Sequence, residues 1–143
     1  MTIKQISIFL ENKPEALVEL TDIIAKNDIN LRALSLADSS DFGIARIIVD
    51  NAEITEKVLA ENGFIVKSTP VIGVEISDKA GSLNHILTIL AKAGRNIEYM
   101  YGFTGKKTNQ AYMIIRCTDN AATEKALSDN FIRMIDQTEV QDL

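Results

Sequence analysis

The sequence predicts an α+β fold built from two tandem βαββαβ domains, and two observations lead to this prediction. The first is a duplication, because the residues from Ile8 to Leu17 recur in similar form from Val74 to Leu83, 66 positions further along the chain. The second is that each copy alternates strand patterns of period two with amphipathic helical patterns. A repeat of this length indicates a duplicated small domain. We therefore expect one domain over residues 1–70 and another over residues 71–143.

The first half of copy one reads as a strand followed by a helix. Residues 3–10 alternate, with apolar side chains at every second position on one face. Asn12 and Glu15 have the spacing of a capping box, and Pro14 suits a first helical turn, so we expect a helix to begin here. The helix continues with apolar residues at helical spacing, namely Leu17, Leu20, Ile23 and Ile24.

The second half of copy one reads as two strands, a helix and a last strand. Residues 30–37 and 42–49 are predicted strands, and the polar cluster 38–41 between them predicts a hairpin turn. A second helix carries Ile54, Val58 and Leu59 and is expected to end at Asn62, because Gly63 stands where helices commonly stop. Residues 64–68 form the predicted fourth strand.

Copy two repeats this order. Strands are predicted near 71–77, 96–104, 109–117 and 131–136, and helices near 81–93 and 120–129. This βαββαβ order is that of the ferredoxin-like sandwich, in which helices cover one face of an antiparallel sheet. Residues 44–49 and 112–115 are apolar on both sides, whereas a half-exposed strand alternates apolar with polar. We expect the second face to be covered by the other sheet, by edge-to-edge joining or by a second chain.

Composition excludes several classes of function. The net charge is -5 and there is no dense run of Lys or Arg, which argues against nucleic acid because phosphate neutralisation needs a basic face. Tyr99, Tyr101 and Phe103 lie at period two and mimic an RNA-binding platform, but core or interface packing suits this acidic chain better. One cysteine, Cys117, and one histidine, His85, do not supply a Cys/His metal site, and no cofactor is expected.

The sequence also lacks features of secreted and membrane proteins. The first residues have no long apolar segment with a small-residue cleavage site, and no stretch reaches the roughly 18 apolar residues of a membrane span. The expected location is therefore cytoplasmic.

Two short motifs carry a resemblance to a known family. Residues 12–17 and 78–83 look like the Asp/Asn-Arg/Lys-Pro-Gly-x-Leu turn of ACT domains, the small-molecule sensing modules of many enzymes of amino-acid metabolism. Asn30-Leu31 and Asn96-Ile97 are similar to the Asn-Ile that begins the second strand in that family. Across all 143 residues the chain resembles the stand-alone tandem ACT proteins, which have no attached catalytic domain.

The resemblance implies a regulatory protein, not an enzyme, that binds a free amino acid at the turn and the start of the second strand. In the family this site commonly lies across an interface between two ACT units. Backbone amides of the helix start would hold the ligand carboxylate, and Asn or Asp side chains its ammonium. The implied ligand-binding residues are Asn12, Glu15, Ala16, Leu17 and Asn30 in copy one, and Asp78, Gly81, Ser82, Leu83 and Asn96 in copy two. A homodimer and a regulated enzyme of amino-acid metabolism are the expected partners, with allosteric action through a change in assembly.

The two turns depart from the family pattern in opposite ways. Glu15 replaces the family glycine in copy one, and Ala80 replaces the proline in copy two. If only one turn binds, the sequence favours the second, which keeps Gly81. Both turns are also compatible with simple helix starts, and two other functions stay open. One is a structural or regulatory subunit with a vestigial ligand site, and the other is an acylphosphatase-type enzyme, for which Lys13 and Lys79 are poor substitutes for the required arginine.

Overall fold

A computed structural model describes residues 1–38 and 40–143, so Ser39 of the predicted hairpin turn lies outside the described residues. The elements in chain order are β1 (Ile3–Glu11), α1 (Ala16–Lys26), β2 (Leu31–Asp38), β3 (Phe42–Val49), α2 (Ala52–Glu61), β4 (Ile65–Ser77), α3 (Ser82–Lys92), β5 (Ile97–Thr104), β6 (Gln110–Cys117), α4 (Asn120–Asp129), β7 (Met134–Ile135) and a 3-10 helix (Glu139–Asp142). The predicted α+β class and the repeated βαββαβ order are confirmed. β4 contains both the predicted last strand of copy one and the first strand of copy two.

The chain divides into two compact units. We call Lys4–Thr69 the N-terminal unit, and Pro70–Leu143 together with Met1–Ile3 the C-terminal unit. In the N-terminal unit β3 pairs antiparallel with both β1 and β2, so that Ala45 lies opposite Ile8 and Leu36. The helices cover one face of these strands, where Ile8 of β1, Leu20 of α1 and Leu59 of α2 are fully buried in one apolar core.

The C-terminal unit repeats this arrangement with β4 between β6 and β7, and β6 between β4 and β5, all antiparallel. Its core joins Val74 of β4, Leu90 of α3 and Leu127 of α4. The predicted last strand, 131–136, is only Met134–Ile135 long, because Phe131 has φ 59° and is 96% exposed, which is incompatible with a strand.

The predicted helix starts are partly wrong. α1 begins at Ala16, and the side chain of Glu15 forms no capping hydrogen bond, so the capping box is not formed. The reason is tertiary: the backbone N–H of Asn12 donates to the carbonyl oxygen of Asp41 at 3.1 Å, which holds this turn against the hairpin between β2 and β3. By contrast, the predicted end of α2 is confirmed, because Asn62 is the C-cap residue and Gly63 follows it with φ 84°.

Candidate functional site

The turns that follow β1 and β4 share one backbone hydrogen-bond scheme. In each, the first turn residue is tied to the hairpin of the next two strands, and the second and fifth residues close the turn on itself. The N-terminal bonds run from Asn12 to Asp41 (3.1 Å), Lys13 to Glu11 (2.9 Å) and Ala16 to Lys13 (3.2 Å), and the C-terminal bonds run from Asp78 to Asn109 (2.9 Å), Lys79 to Ser77 (2.8 Å) and Ser82 to Lys79 (3.2 Å), each from N–H to carbonyl oxygen. The duplicated sequence therefore builds the same turn twice.

The turns differ at the residue that precedes each helix. Glu15 has φ −82°, an ordinary right-handed conformation, whereas Gly81 has φ +90°. Residues with a side chain rarely adopt φ near +90°, so glycine suits this position in the C-terminal turn. The N-terminal turn has no such requirement and accommodates the glutamate.

Each turn presents backbone amides at the start of a long helix. Within residues 1–38 and 40–143, the N–H groups of Leu17 and Val18 at α1, and of Leu83 and Asn84 at α3, donate to no protein acceptor. The first N–H groups of a helix have no partner inside the helix, and the helix dipole favours negative charge there. These amides can receive a carboxylate.

A cavity of about 360 Å³ lies beside the N-terminal turn, within the range of small-molecule sites. Its floor is apolar and includes Leu10 and Ala16, which are 5% and 6% exposed. Its rim carries the turn residues. The complete lining is Leu10, Glu11, Asn12, Lys13, Pro14, Ala16, Leu17, Leu36 and Gly43. A neighbouring cavity of about 280 Å³ shares Glu11 and Lys13 and is bordered by Phe9, Phe42 and Phe64.

The rim of the larger cavity carries both signs of charge. The Lys13 ammonium lies 3.7 Å from the Glu11 carboxylate, and their side chains are 49% and 72% exposed. An exposed ion pair at this distance is weak, so both groups remain available to a ligand. Opposite charges above an apolar floor match a zwitterion that carries a side chain.

Comparison with known proteins identifies the family. The family model for the ACT domain pair matches residues 1–143. The chain belongs to the ACT domain pair family. ACT pairs are regulatory modules, and the two ACT units account for the whole of these 143 residues.

Solved structures agree with this assignment of the ACT pair. Protein BT0572 from Bacteroides thetaiotaomicron is 37% identical, with a TM-score of 0.94 over 100% of this chain and 98% of that one. Regulatory subunits of aspartate kinase from Thermus thermophilus and Thermus flavus are 18% and 20% identical, with TM-scores of 0.63 and 0.58, over 90% of this chain and 92% of each of theirs. These two similarities concern the fold. No curated protein matches the sequence.

Within one ACT unit, the structure does not bring the predicted asparagine together with the turn. Phe42, the first residue of β3, lies opposite Glu11 of β1, next to the turn. Val49, the last residue of β3, lies opposite Leu31 of β2, next to Asn30. The seven residue-to-residue steps between these two ends span about 23 Å. Asn30 instead pairs with Asp50, whose carboxylate accepts the Asn30 N–H at 3.2 Å.

The C-terminal ACT unit shows the same separation. Gln110, the first residue of β6, lies opposite Ser77, next to the turn. Cys117, the last residue of β6, lies opposite Ile97. Asn96 precedes Ile97 and therefore lies at the end of the strands away from Asp78, Gly81, Ser82 and Leu83. One ACT unit by itself therefore does not bring its turn and its asparagine into one site.

Sequence reasoning missed several residues that line the cavity of the ACT turn. Glu11 directly precedes the motif and Lys13 lies within it, and their opposite charges were an available signal. Leu36 and Gly43 come from the hairpin and reach the cavity through the pairing of β2 and β3. The available sequence signal was the alternation of Leu34, Ser35 and Leu36, which indicates an apolar face on strand β2.

Cys117 and His85 belong to the C-terminal unit and not to the N-terminal turn. Burial raises the pKa of the Cys117 thiol, and His85 is exposed on α3. Within the described part of the chain, no group of His, Cys, Asp and Glu side chains is arranged to hold a metal ion. The described helices also include none with the length and apolar character needed to cross a membrane.

Proposed function

We propose that this ACT pair is a non-catalytic sensor that binds a free amino acid at the N-terminal turn. The observation that carries the proposal is the cavity of about 360 Å³ at the turn that the ACT family uses, with an apolar floor and both charges on its rim. A free amino acid has a carboxylate, an ammonium and a side chain, and the cavity offers one surface for each.

The ligand carboxylate would accept hydrogen bonds from the free amides of Leu17 and Val18 and lie near the Lys13 ammonium. Such charge-assisted hydrogen bonds are stronger than neutral ones. The ligand ammonium would face Glu11 and the side-chain oxygen of Asn12. Glu15 is exposed and lies at the same helix start, so it limits access rather than capping the helix.

We propose that an ACT unit of a second chain completes the site. Because Asn30 and Asn96 lie far from the turn of their own unit, one of them would approach the turn from that second chain and close over the ligand. We propose a homodimer as the functional assembly, with occupancy altering the assembly and thereby a partner enzyme of amino-acid metabolism. A cytoplasmic location remains part of this proposal.

We propose the first turn rather than the second as the preferred site, and the cavity beside the first turn supports this choice. The sequence favoured the second turn because Gly81 matches the family motif. Gly81 is accounted for by its backbone conformation, whereas the first turn has the described cavity. Asp78, Gly81, Ser82 and Leu83 stay a proposed secondary site.

A partner-binding subunit with a vestigial ligand site is the second candidate. Strand β2 lies at the edge of the sheet of the N-terminal unit, and its side chains Leu34 and Leu36 are 43% and 49% exposed. An exposed apolar edge is a common protein-binding surface. A melting temperature that no amino acid changes, together with capture of a stable partner, would favour this candidate.

A thermal-shift screen of the twenty amino acids tests the sensor proposal. A ligand at a hundredfold excess over its dissociation constant stabilises the folded state by about 2.7 kcal/mol. For a chain of this size that corresponds to a rise in melting temperature of roughly 5–10 °C. Size-exclusion chromatography with light scattering, with and without the ligand, then tests the dimer. No shift with any amino acid at millimolar concentration contradicts the sensor proposal.

A further inference from the structure

We infer that the cavity of the N-terminal turn selects amino acids with an aliphatic side chain, and that Leu36 and Gly43 set this selectivity. The inference rests on the proposed function and adds the class of ligand to it. It comes from the floor of the cavity and from a comparison of the two copies.

The side chains below the rim of the cavity offer no hydrogen-bond partner to a polar ligand side chain. Below the rim its walls are Leu10, Ala16, Leu17, Leu36 and Gly43. The charged side chains, Glu11 and Lys13, are largely exposed at the rim and serve the ligand's own backbone charges. A charged or amide side chain directed onto this floor would lose its hydration without gaining a hydrogen bond. An aliphatic side chain gains from the same burial.

Gly43 keeps the floor open beside Leu36. A methyl group at this position would lie 3.4 Å from Cδ1 of Leu36 and 3.7 Å from the carbonyl oxygen of Ala37. These are ordinary van der Waals contacts, so alanine can be accommodated here. The added methyl would occupy space next to the Leu36 side chain.

The strand registers give the equivalent residues in the C-terminal unit. Gly43 lies opposite Leu10, as Ala111 lies opposite Ile76. Leu36 lies opposite Ala45, as Gly102 lies opposite Met113. Copy two therefore has Ala111 in place of Gly43 and Gly102 in place of Leu36.

The two copies fill this region with different side chains. A methyl group at Gly102 would lie 2.9 Å from the sulfur of Met113, so the methionine side chain occupies the space that a residue equivalent to Leu36 would need. In copy one the large apolar side chain is Leu36 on strand β2, and in copy two it is Met113 on β6, the strand that pairs with β5. The open floor bounded by a branched aliphatic side chain is thus a property of copy one, and the two turns are not equivalent in selectivity.

Isothermal titration calorimetry of the full chain tests the inference with leucine, isoleucine, valine, aspartate, lysine and phenylalanine. We expect the tightest binding from one of the three aliphatic amino acids. Gly43→Ala should weaken leucine binding at least tenfold, and more than it weakens binding of the smaller valine. Leu36→Ser, at a partly exposed position, should also weaken binding of the aliphatic ligands. The matched control Ala111→Gly should leave leucine affinity within twofold.

Each outcome decides one question. Tightest binding of aspartate, lysine or phenylalanine overturns the inference while leaving the sensor proposal in place. The absence of binding by every amino acid contradicts the sensor proposal itself. A loss in Ala111→Gly that equals the loss in Gly43→Ala overturns the assignment to copy one. Circular dichroism of each variant checks folding, and Leu36→Ser decides the question if Gly43→Ala does not fold.

Discussion

The unequal turns predict a stability difference that a matched pair of alanine substitutions measures. Gly81 has φ +90°, and a methyl group built on it meets no atom within 4 Å. Gly81→Ala therefore introduces no packing clash, and its cost is the backbone penalty of a left-handed residue with a side chain, about 1–2 kcal/mol. Glu15 has φ −82° and an exposed side chain, so Glu15→Ala should change the free energy of unfolding by less than about 0.5 kcal/mol.

Urea unfolding followed by circular dichroism at 25 °C is the appropriate assay. Gly81→Ala should lower the midpoint, while the slope with urea stays the same because the surface exposed on unfolding is unchanged. Glu15→Ala should unfold at the midpoint of the wild type within error. Equal midpoints for Gly81→Ala and the wild type would refute the account of why the copies differ at this position.

Two further predictions concern the C-terminal unit. Gly105→Ala should destabilise the fold by about 1–3 kcal/mol through overpacking, because its methyl would lie 2.5 Å from the ring of the buried Tyr112. An unchanged urea midpoint would contradict this prediction and show that the Tyr112 ring can move away from the methyl group. The pKa of Asp136 lies below its ordinary value of 3.8, because the Thr138 hydroxyl and then a backbone N–H donate to the carboxylate. The stability from these bonds is present above the ordinary pKa and is lost as the pH falls through the lowered one. Carboxyl NMR titration should give a higher Asp136 pKa in Thr138→Val, and identical values in both proteins would contradict the assigned cause.

Local patterns were sufficient to predict the fold class. The alternation of residues 3–10 predicts β1, and the helical spacing that includes Leu20 and Ile24 predicts α1. The duplication repeats both patterns in copy two. The start of α1 was harder to predict, because Asn12 bonds to the hairpin near Asp41 instead of the helix next to it. Such a bond depends on the tertiary arrangement of the strands.

The C-terminal segment shows the same limitation. Residues 131–136 have a strand-like composition, but Phe131 adopts a positive φ and only Met134–Ile135 pairs with β4. Arg133 forms ion pairs with Glu75 of β4, at 2.9 Å, and with Glu139 of the 3-10 helix. These contacts join residues distant in sequence, and no periodicity indicates them.

The candidate site was predictable in part. The family motif located both turns, but the cavity at the first turn depends on Leu36 and Gly43, which reach it through strand pairing. Gly81 directed the sequence-based preference to the second turn, and its positive φ is a backbone reason for glycine there that does not depend on a ligand. The exchange of side-chain volume between the copies becomes visible only once the register pairs Gly102 with Met113.

A ligand site at the N-terminal turn is tested by titrating the wild type, Lys13→Ala and Lys79→Ala with the amino acid that gives the largest thermal shift. We expect saturable binding by the wild type and an unchanged affinity for Lys79→Ala. Lys13→Ala should lose roughly tenfold in affinity, since a hydrogen bond to a charged group contributes about 1.5–3 kcal/mol before solvent exposure reduces it. No binding by the wild type, or equal losses in the two lysine variants, would contradict a ligand site at the N-terminal turn.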